Sequence, residues 1–280
     1  MKILTFYQIY YKHRFLKANL FRKIYLLLII LLRFLFHLIF LEKKINLDKL
    51  IITSPDLLNK NFDYLFEYFN SDKGNFFFNQ YTKSKKREKI QGHEYALFYD
   101  RYFKSLKNNK LNILELGTFK GGATAAFSIF FKNSKIYSGD LYPDIFNFSS
   151  KKITNFKIDT SSINSINNII VNNDLQYDII IEDAGHYLKD QIISLFILFK
   201  KLKPKGFFVI EELDFPDTRS DMNIDNEKPT LKEIFYYIKN KQDFNHKYID
   251  LLDKKYFLEN FEFINIYKGR TNEIAFIQKK

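Results

Sequence analysis

Acidic side chains follow several short apolar runs in the second half of the chain, and the first of these runs leads into a glycine-rich loop. Glu115 is followed by Gly117, Gly121 and Gly122, where a helical pattern begins. Glycine lets the backbone pass close to a ligand, and doubly wound sheets bind cofactors at this edge, beside a helix N-terminus. A dinucleotide site would need Gly-x-Gly-x-x-Gly, and a carboxylate here would repel its pyrophosphate. The loop therefore favours a cationic ligand.

Two further acids stand where the rest of a nucleoside would lie. Asp140 ends the next apolar run, and a carboxylate at that position can bind both hydroxyls of a ribose. Asp159 follows the third run and could bind the adenine end. Each acid alone is more simply explained as a solvated strand terminus. The ordered set Glu115, Gly117, Asp140 and Asp159 favours a nucleoside-sulfonium site.

Paired acids end the next two apolar runs. Glu182 and Asp183 follow one buried run, with His186 three residues further on, and Glu211 and Glu212 end the other. Neighbouring parallel strands bring their ends within about 5 Å of each other. Ionised carboxylates crowd so closely only if one is protonated or a cation joins them. An oxygen cluster with open positions suits Mg²⁺ or another hard divalent ion.

The composition narrows the chemistry. The chain has no cysteine, so disulfides, thiolate nucleophiles and Cys-ligated metals are excluded, and any metal must be held by oxygen or imidazole. The net charge of +12 is uneven, because residues 1–44 carry nine Lys or Arg and one Glu. No Asn-Pro-Pro-Tyr-type motif for base flipping follows the fourth run. We therefore expect no nucleic-acid partner.

The elements that must position these residues are recognisable from residue 111 onward, where short apolar runs alternate with helix-length segments. This alternation predicts an α/β fold, a doubly wound Rossmann-like sheet that is mostly parallel and covered on both faces. A short turn between 261–267 and 273–278 predicts an antiparallel C-terminal hairpin that closes the sheet. The predicted strands are 112–116, 135–139, 155–158, 177–181 and 206–210, and the predicted helices are 122–131, 161–173, 188–202 and 229–241.

We divide the chain into three parts. Residues 1–45 form a basic and hydrophobic arm, residues 46–110 a helical cap or lid region, and residues 111–280 the cofactor-binding domain. A helix is predicted near 62–69, and residues 71–89 are predicted to be rich in loops. His93, Tyr95 and Tyr99 are expected to belong either to a lid or to the core.

Residues 24–41 form an apolar stretch of eighteen residues, interrupted by Arg33 and His37, at the lower limit for spanning a bilayer. Arg22, Arg33 and Lys44 are spaced by eleven residues, so on a helix they share one narrow polar stripe with His37. Such a helix suits the plane of the membrane interface, where Arg snorkels and basic residues meet anionic headgroups.

A spanning helix is less favoured, because the positive-inside rule would send the rest of the chain across the membrane. A cleaved signal peptide fits poorly, since no small-residue cleavage site follows. The remaining alternative is a buried helix with Arg33 paired internally. We expect a location at the cytoplasmic face of the membrane, peripheral or monotopic, and otherwise the cytoplasm.

The loop 115–122 and the final antiparallel strand resemble those of class I S-adenosylmethionine-dependent methyltransferases, over about residues 71–280. The resemblance implies that S-adenosylmethionine is the cofactor. It further implies that Gly117 and Gly121 line its methionine moiety and that Asp140 binds its ribose. The cofactor-binding residues expected together are Glu115, Gly117, Gly121, Gly122, Asp140 and Asp159.

One branch of that family is especially similar: the metal-dependent sugar O-methyltransferases of macrolide biosynthesis, which act on macrocin and mycinamicin, and their cephalosporin-hydroxylase-like relatives. The motifs that resemble theirs are Glu182-Asp-Ala-Gly-His186, Gln191, Leu202-Lys-Pro-Lys-Gly206, Val209-Ile-Glu-Glu212 and Ser71-Asp-Lys-Gly74. The resemblance implies Mg²⁺ or another divalent cation on Asp183, Glu211 and Glu212, with His186 as general base. Ala-Gly replaces Gly-Ser, and Glu replaces Asp at position 212.

The expected function is methyl transfer from S-adenosylmethionine to a sugar hydroxyl of a saccharide or glycolipid precursor. A divalent ion lowers the pKa of a chelated hydroxyl, and a histidine can take its proton. Residues 214–228 are expected to shape the acceptor pocket. His186 could instead cap the helix that follows it. A metal-independent methyltransferase of the same fold and a non-catalytic, membrane-docked cofactor-binding protein remain alternatives, and a nucleic-acid methyltransferase is the least favoured.

Overall fold

The computed structural model describes residues 2–16, 18–39, 44–80, 88–171 and 173–280. Within them, helices surround one mixed sheet, and short 3₁₀ turns connect several elements. The helices are α1 (Ile3–Tyr10), α2 (Lys12–Leu16), α3 (Leu20–Ile39), α4 (Leu47–Thr53), α5 (Phe62–Tyr68), α6 (Ala96–Phe103), α7 (Gly122–Phe130), α8 (Ile163–Val171), α9 (Leu188–Leu198), α10 (Phe215–Thr218), α11 (Leu231–Lys239) and α12 (Leu251–Asn260). The strands are β1 (Ile45–Asn46), β2 (Phe76–Phe78), β3 (Lys89–Gln91), β4 (Asn112–Leu116), β5 (Lys135–Asp140), β6 (Phe148–Ser149), β7 (Ile153–Lys157), β8 (Tyr177–Glu182), β9 (Leu202–Ile210), β10 (Phe261–Lys268) and β11 (Glu273–Lys279).

The described strands form a seven-stranded sheet in the order β10-β11-β9-β8-β4-β5-β7. The five strands from β9 to β7 are parallel, and β11 runs antiparallel to both β9 and β10. The fold class predicted from the alternating pattern is confirmed, including the hairpin that closes the sheet. In register, Leu116 lies opposite both Gly139 and Glu182, and Glu182 lies opposite Ile210. The polar residues after these strands therefore meet at one edge.

Both faces of the sheet are buried, which explains why its strands are continuous apolar runs. Successive side chains of a strand point to opposite faces. Ile113 and Ile179 accordingly pack into the core on one face, whereas Leu114 and Ile180 pack into the core on the other. The sheet is thereby fixed on both sides and can hold its carboxyl edge in place.

The helices before the sheet share its core. Phe62 of α5 stacks on Phe130 of α7 with ring centroids 3.8 Å apart, and Tyr99 and Phe103 of α6 pack into the same cluster as strand residues of the sheet. Asn61 caps α5 by accepting the backbone N–H of Tyr64. The aromatic residues of this region thus anchor the segment that follows α5 against the carboxyl edge of the sheet.

Several predicted boundaries differ from those observed. Strand β9 begins at Leu202 rather than at residue 206, because Leu202 pairs with Tyr177 across a register shift. Strand β7 ends at Lys157, before Asp159, whose carboxylate accepts the N–H of Ser161 in a turn. Residues 71–89 were expected to be loops, but β2 and β3 form an antiparallel pair here. Residues 81–87 between them, and residue 172 of the predicted helix 161–173, lie outside the described residues.

The N-terminal arm is helical. Helix α3 packs on α1 and α2 around Phe6, Tyr11, Leu26 and Ile30, and Arg33 donates a hydrogen bond to the Tyr11 hydroxyl at 3.0 Å. The rest of α3 carries exposed large apolar side chains: Leu20, Phe21, Ile24, Tyr25, Leu27, Leu28, Leu31, Leu32, Leu35 and Phe36. Among the described helices, none is both long and apolar enough to cross a bilayer.

The predicted polar stripe lies only partly on α3. Arg22 and Arg33 are on the helix and exposed, and Arg33 donates to the Tyr11 hydroxyl, whereas Lys44 lies beyond the end of the helix. The His37 side chain and residues 40–43 lie outside the described part of the chain.

Candidate functional site

A cavity of about 1040 Å³ opens at the carboxyl edge of the sheet, bordered by the residues that follow β4, β5, β7, β8 and β9. This is the edge at which open α/β sheets bind ligands. Of the residues predicted from the sequence, the cavity is lined by Glu115, Gly117, Gly122, Asp140, Asp159, Asp183, His186 and Glu212.

Glu115 is a buried carboxyl group in the cavity wall, near the end of β4. Its side chain is 1% exposed and accepts a hydrogen bond from the Thr124 hydroxyl at 2.5 Å. Burial raises the pKa of Glu115 to about 7, although the nearby Lys73 opposes the rise. A cationic ligand in the cavity would favour the ionised form of this group.

The glycines of the loop are explained by close neighbours. Gly117 has a φ of +85°, and a Cβ there would lie 1.9 Å from the carbonyl oxygen of Asp183. A Cβ on Gly122 would lie 2.7 Å from the carbonyl oxygen of Phe69. Gly121 faces the Phe146 ring instead. Among the described residues, those that line the cavity do not include Gly121. That Gly121 lines the methionine moiety of the cofactor stays a prediction.

Asp140 is held by backbone groups. Its two oxygens accept the N–H groups of Phe119 and Tyr142, each at 2.7 Å. Burial raises the pKa of Asp140, and these two hydrogen bonds oppose the rise. Asp159 lies further along the edge and accepts the hydroxyl of Ser161 at 2.6 Å. The ordered acids predicted from the sequence thus face one cavity.

Asp183 and Glu211 are joined by a lysine. The two acids follow adjacent parallel strands, and the buried ammonium of Lys73 donates to Glu211 at 2.6 Å and also to Asp183. Tyr99 donates to the other oxygen of Glu211 at 2.5 Å. Burial lowers the pKa of Lys73, but Asp183 and Glu211 outweigh it and raise that pKa well above its usual value. The ammonium of Lys73 therefore supplies part of the positive charge that the crowded acids require.

The acids and His186 also form a candidate metal site. Within the described residues, ligand atoms of Asp183, His186 and Glu212 all lie within 4.8 Å of one another. Glu212 Oε2 and His186 Nδ1 are buried, 3.4 Å apart, and neither has a hydrogen-bond partner among the described residues. A converging set of oxygen and imidazole donors, two of which have buried atoms without partners among the described residues, fits a divalent cation.

The converging set differs from the predicted ligands Asp183, Glu211 and Glu212. Both oxygens of Glu211 already accept hydrogen bonds, from Lys73 and Tyr99, and His186 stands in its place. Glu182, which precedes Asp183, is fully buried, and burial raises the pKa of its carboxyl group to about 8.

Burial shifts the proton affinities of the cluster. Burial, then repulsion by Glu211, raises the pKa of Glu212 to about 8, and the same two causes raise that of Asp183 well above its usual range. Burial and the charge of Lys73 lower the pKa of His186 to about 4. His186 is accordingly neutral near pH 7 and able to accept a proton.

Two residues of the site have left-handed backbone conformations. His186 has a φ of +56° and Glu212 a φ of +46°, which cost energy for residues other than glycine. The Gln191 side chain, in the predicted motif, donates to the Glu212 carbonyl at 3.1 Å and helps to hold that conformation. The surrounding structure thus fixes both side chains over the cavity.

Sequence reasoning missed the roles of the segment before the sheet. Lys73 was noted only as part of a motif, and His93 and Tyr99 were left open between lid and core. Tyr99 is buried and contacts Glu211, whereas His93 Nε2 lies 3.2 Å from Glu212 Oε1. The motif Ser71-Asp-Lys-Gly74 was the available sequence signal.

One wall of the cavity, formed by Tyr68, Asn70, Phe78, Asn79 and Gln80 and called the third wall below, is rich in aromatic and amide side chains. Tyr68 and Phe78 line it with rings that are each 47% exposed. Asn70, Asn79 and Gln80 lie between and beside them. Residues 214–228, all of which are described, are not among the residues that line this cavity, and their part in an acceptor pocket stays a prediction. Phe215 packs its ring against that of His186.

Comparisons with known proteins agree with this geometry. No protein-family model matches the chain. It is 27% identical to demethylmacrocin O-methyltransferase of Streptomyces fradiae, over 43% of this chain and 32% of that protein. It is 26% identical to mycinamicin VI 2''-O-methyltransferase of Micromonospora griseorubida, over the same shares. The matched part is thus about a third of the length of either relative. The resemblance expected from the motifs is confirmed.

Among solved structures, the chain is similar to the MycE methyltransferase of the mycinamycin biosynthetic pathway in complex with Mg, SAH and mycinamycin VI. The TM-score is 0.58 at 19% identity, covering 79% of this chain and 54% of that one. At this identity the similarity establishes the fold, a Rossmann-like methyltransferase fold.

Proposed function

We propose that the chain is an S-adenosylmethionine-dependent O-methyltransferase that acts on a sugar hydroxyl with the help of a divalent cation. The observation that carries the proposal is one cavity that joins the ordered acids Glu115, Asp140 and Asp159 to the converging group Asp183, His186 and Glu212. The similar proteins are named O-methyltransferases, and the similar solved structure contains Mg and SAH.

The donor lies along the strand edge in this proposal. Asp140 binds the ribose hydroxyls through lone pairs that its two backbone hydrogen bonds leave available, and Asp159 lies at the adenine end. Glu115 and Gly117 border the methionine part, where the Glu115 carboxylate offsets positive charge on the donor. Gly122 allows the segment after α5 to cross the start of α7.

The ion is held by Asp183 and Glu212 beside His186. When bound, it supplies a positive charge that lowers the pKa of the acceptor hydroxyl. Neutral His186 takes the hydroxyl proton as general base. Lys73 and Tyr99 fix Glu211, which keeps the end of β9 beside that of β8. In-line transfer then depends on positioning the two substrates.

The acceptor packs on the third wall. A pyranose presents an apolar C–H face and a rim of hydroxyls, which match aromatic rings and amide side chains respectively. The Asn70 side chain accepts the N–H of Phe78 at 2.6 Å and donates to its carbonyl at 3.2 Å. This pair of hydrogen bonds fixes Phe78 beside the turn that follows α5, whose last residue is Tyr68, and both residues line the cavity.

The arm, residues 1–45, docks in this proposal on the cytoplasmic face of a membrane, in the interfacial plane. Its support is the row of exposed apolar side chains on α3 together with the basic residues of the arm. The Thr5 hydroxyl contacts Asp144, in the connection whose residues Asn147 and Phe148 line the cavity. The acceptor is then a saccharide or glycolipid precursor presented at that surface. Residues 46–110 cover the cofactor-binding domain, residues 111–280.

The test is transfer of labelled methyl from S-adenosylmethionine to nucleotide-linked and lipid-linked sugars, with and without EDTA. We expect transfer that EDTA abolishes and Mg²⁺ restores. Glu212→Gln and His186→Gln should each remove transfer, whereas Asp221→Asn, a surface acid paired with Arg219, should not. Transfer that resists EDTA would favour the metal-independent alternative, and donor binding without transfer to any sugar would favour the non-catalytic one.

A further inference from the structure

We propose that His93 is a positioning residue for Glu212, and that Asn272, in the turn between β10 and β11, sets the tautomer with which it acts. The proposal rests on the metal-assisted function proposed above. It gives the turn between β10 and β11 a role in the site, although this turn is far from Glu212 in the sequence.

Glu212 lies between two imidazoles. His93 Nε2 is 3.2 Å from Glu212 Oε1, and His186 Nδ1 is 3.4 Å from Glu212 Oε2. Oε2 lies beside His186 and has no hydrogen-bond partner among the described residues. Oε1 lies beside His93. In this proposal His93 holds Oε1 in place, which leaves Oε2 available to bind the cation.

The neighbours of the His93 ring determine which nitrogen carries the proton. Asn272 Nδ2 lies 3.2 Å from His93 Nδ1, and an amide nitrogen can only donate. His93 Nδ1 must therefore accept, so in the neutral ring the proton is on Nε2. That N–H is then the group that faces Glu212 Oε1, 3.2 Å away. Thr271, whose hydroxyl is 3.4 Å from Nδ1, adds a further donor on the same side.

The turn that carries Asn272 is fixed to the backbone around His93. The N–H of Arg270 donates to the His93 carbonyl at 2.9 Å, and a Cβ on Gly269 would lie 2.4 Å from that same oxygen. The Arg270 guanidinium donates to the Asn75 carbonyl at 2.9 Å. Tyr95 stacks on the His93 ring with centroids 5.3 Å apart. The imidazole is thereby held in one orientation.

This arrangement has a measurable consequence for cation binding. A ligand carboxylate whose outer oxygen is held by a fixed donor binds metal more tightly, and removing such a partner typically weakens binding about 10- to 100-fold. Glutamate at position 212 has one more rotatable bond than aspartate would have, so it depends more on an external donor to keep its direction. His93 supplies that donor.

The experiment measures Mn²⁺ binding by electron paramagnetic resonance in the full chain and the His93 tautomer by ¹⁵N NMR. We expect wild-type protein to show the proton on Nε2. His93→Leu should weaken Mn²⁺ binding about 10- to 100-fold. His93→Gln should restore much of it, since its amide N–H can replace the Nε2 donor. Asn272→Ala should lower the Nε2-protonated fraction and weaken binding. His246→Leu is the matched control and should change neither readout.

The outcomes separate this inference from the proposed function. Wild-type protein that binds Mn²⁺ while His93→Leu binds it equally well would overturn the inference alone, as would a proton on Nδ1 in the wild type. Wild-type protein that binds no Mn²⁺ would overturn both the metal-assisted function and the role of His93. If the His93→Leu variant does not fold, the wild-type tautomer and the Mn²⁺ affinity of Asn272→Ala test the inference.

Discussion

Lys73 Nζ lies 2.6 Å from Glu211 Oε2, at the end of β9, and also donates to Asp183, after β8. The ends of two neighbouring strands are thus joined by a side chain that stands 110 residues before the nearer of them. The ammonium neutralises part of the charge that the sequence alone assigned to a metal. In the proposed function, a divalent ion would accordingly be held on the side of the cluster formed by Asp183, His186 and Glu212.

Replacing Lys73 with methionine should destabilise the protein. The change leaves two buried carboxyl groups without their counter-charge, which costs about 3–5 kcal/mol when one partner of a buried pair is removed. Urea unfolding followed by circular dichroism measures the loss. Lys203→Met is the matched control, because Lys203 pairs with Asp178 at the surface and such a pair contributes less than about 1 kcal/mol. Equal effects of the two substitutions would contradict the structural role of Lys73.

Replacing Glu115 with glutamine should change how stability depends on pH. Burial raises the pKa of Glu115 to about 7 in the folded protein, so the folded state holds this proton more tightly than the unfolded chain does. Wild-type stability from this group is therefore greatest below its unfolded pKa and falls as the pH rises from about 4.5 to about 7, by about 3 kcal/mol.

The glutamine variant cannot ionise and should not show that loss. The test measures the unfolding free energies of both proteins at pH 5 and pH 8. Relative to the wild type, the variant should be more stable at pH 8 than at pH 5. Thr124→Val, which removes only the hydroxyl that Glu115 accepts, serves as a control that keeps the ionisable group. An unchanged difference between wild type and Glu115→Gln at the two pH values would contradict the raised pKa.

Removing divalent cations should separate donor binding from catalysis. The acids predicted to bind S-adenosylmethionine lie on or after β4, β5 and β7, whereas those of the candidate metal site follow β8 and β9. We expect EDTA to lower methyl transfer on the order of 100-fold or more, because the ion supplies several kcal/mol of charge stabilisation. The affinity for SAH, measured by calorimetry, should stay the same. A parallel loss of SAH binding would show that the ion instead organises the whole cavity.

Replacing Tyr68 or Phe78 with alanine should weaken acceptor binding. An aromatic contact contributes about 0.5–1.5 kcal/mol, so KM for the sugar should rise about 3- to 10-fold while the Kd of S-adenosylmethionine is unchanged. Tyr236→Ala is the control, since Tyr236 is an exposed tyrosine on α11 that does not line the cavity. An effect on donor affinity instead of on KM would place the donor against this wall.

Charges on the outer face of α3 should abolish membrane binding. Leu28, Leu31 and Leu32 are all exposed, and burying each such side chain contributes about 1.5–3 kcal/mol. Changing all three to Asp should lower binding to vesicles that contain phosphatidylglycerol by at least about 100-fold in a sedimentation assay. Ile224→Asp, at an exposed apolar residue outside the arm, should have no effect. A change of oligomeric state without a change in vesicle binding would identify a second copy as the partner of this face.

The sequence was sufficient for the sheet because the strands are buried on both faces and their apolar runs are continuous. The acids at the strand ends could be placed together for the same reason, since parallel strands end at a common edge. Asp183 and Glu211 indeed follow paired strands. Their position depends on where the apolar strands end, which can be read from a single sequence.

The contacts of Lys73 and His93 could not be predicted in this way. Both residues lie in the segment between α5 and α6, where no periodic pattern fixes the direction of a side chain. Their partners stand more than 100 residues away, so the contacts depend on how α5 and α6 pack on α7.

The pairing of β1 with β6 holds Ile45 at the cavity and so limits the distance between the cavity and the end of α3. Ile45 of β1 lines the cavity, and five residues separate it from Ile39, where α3 ends. Even when fully extended, the six steps from Ile39 to Ile45 span no more than about 22 Å. On a membrane bound through α3 as proposed, the edge of the cavity at Ile45 would accordingly lie within about that distance of the end of the helix.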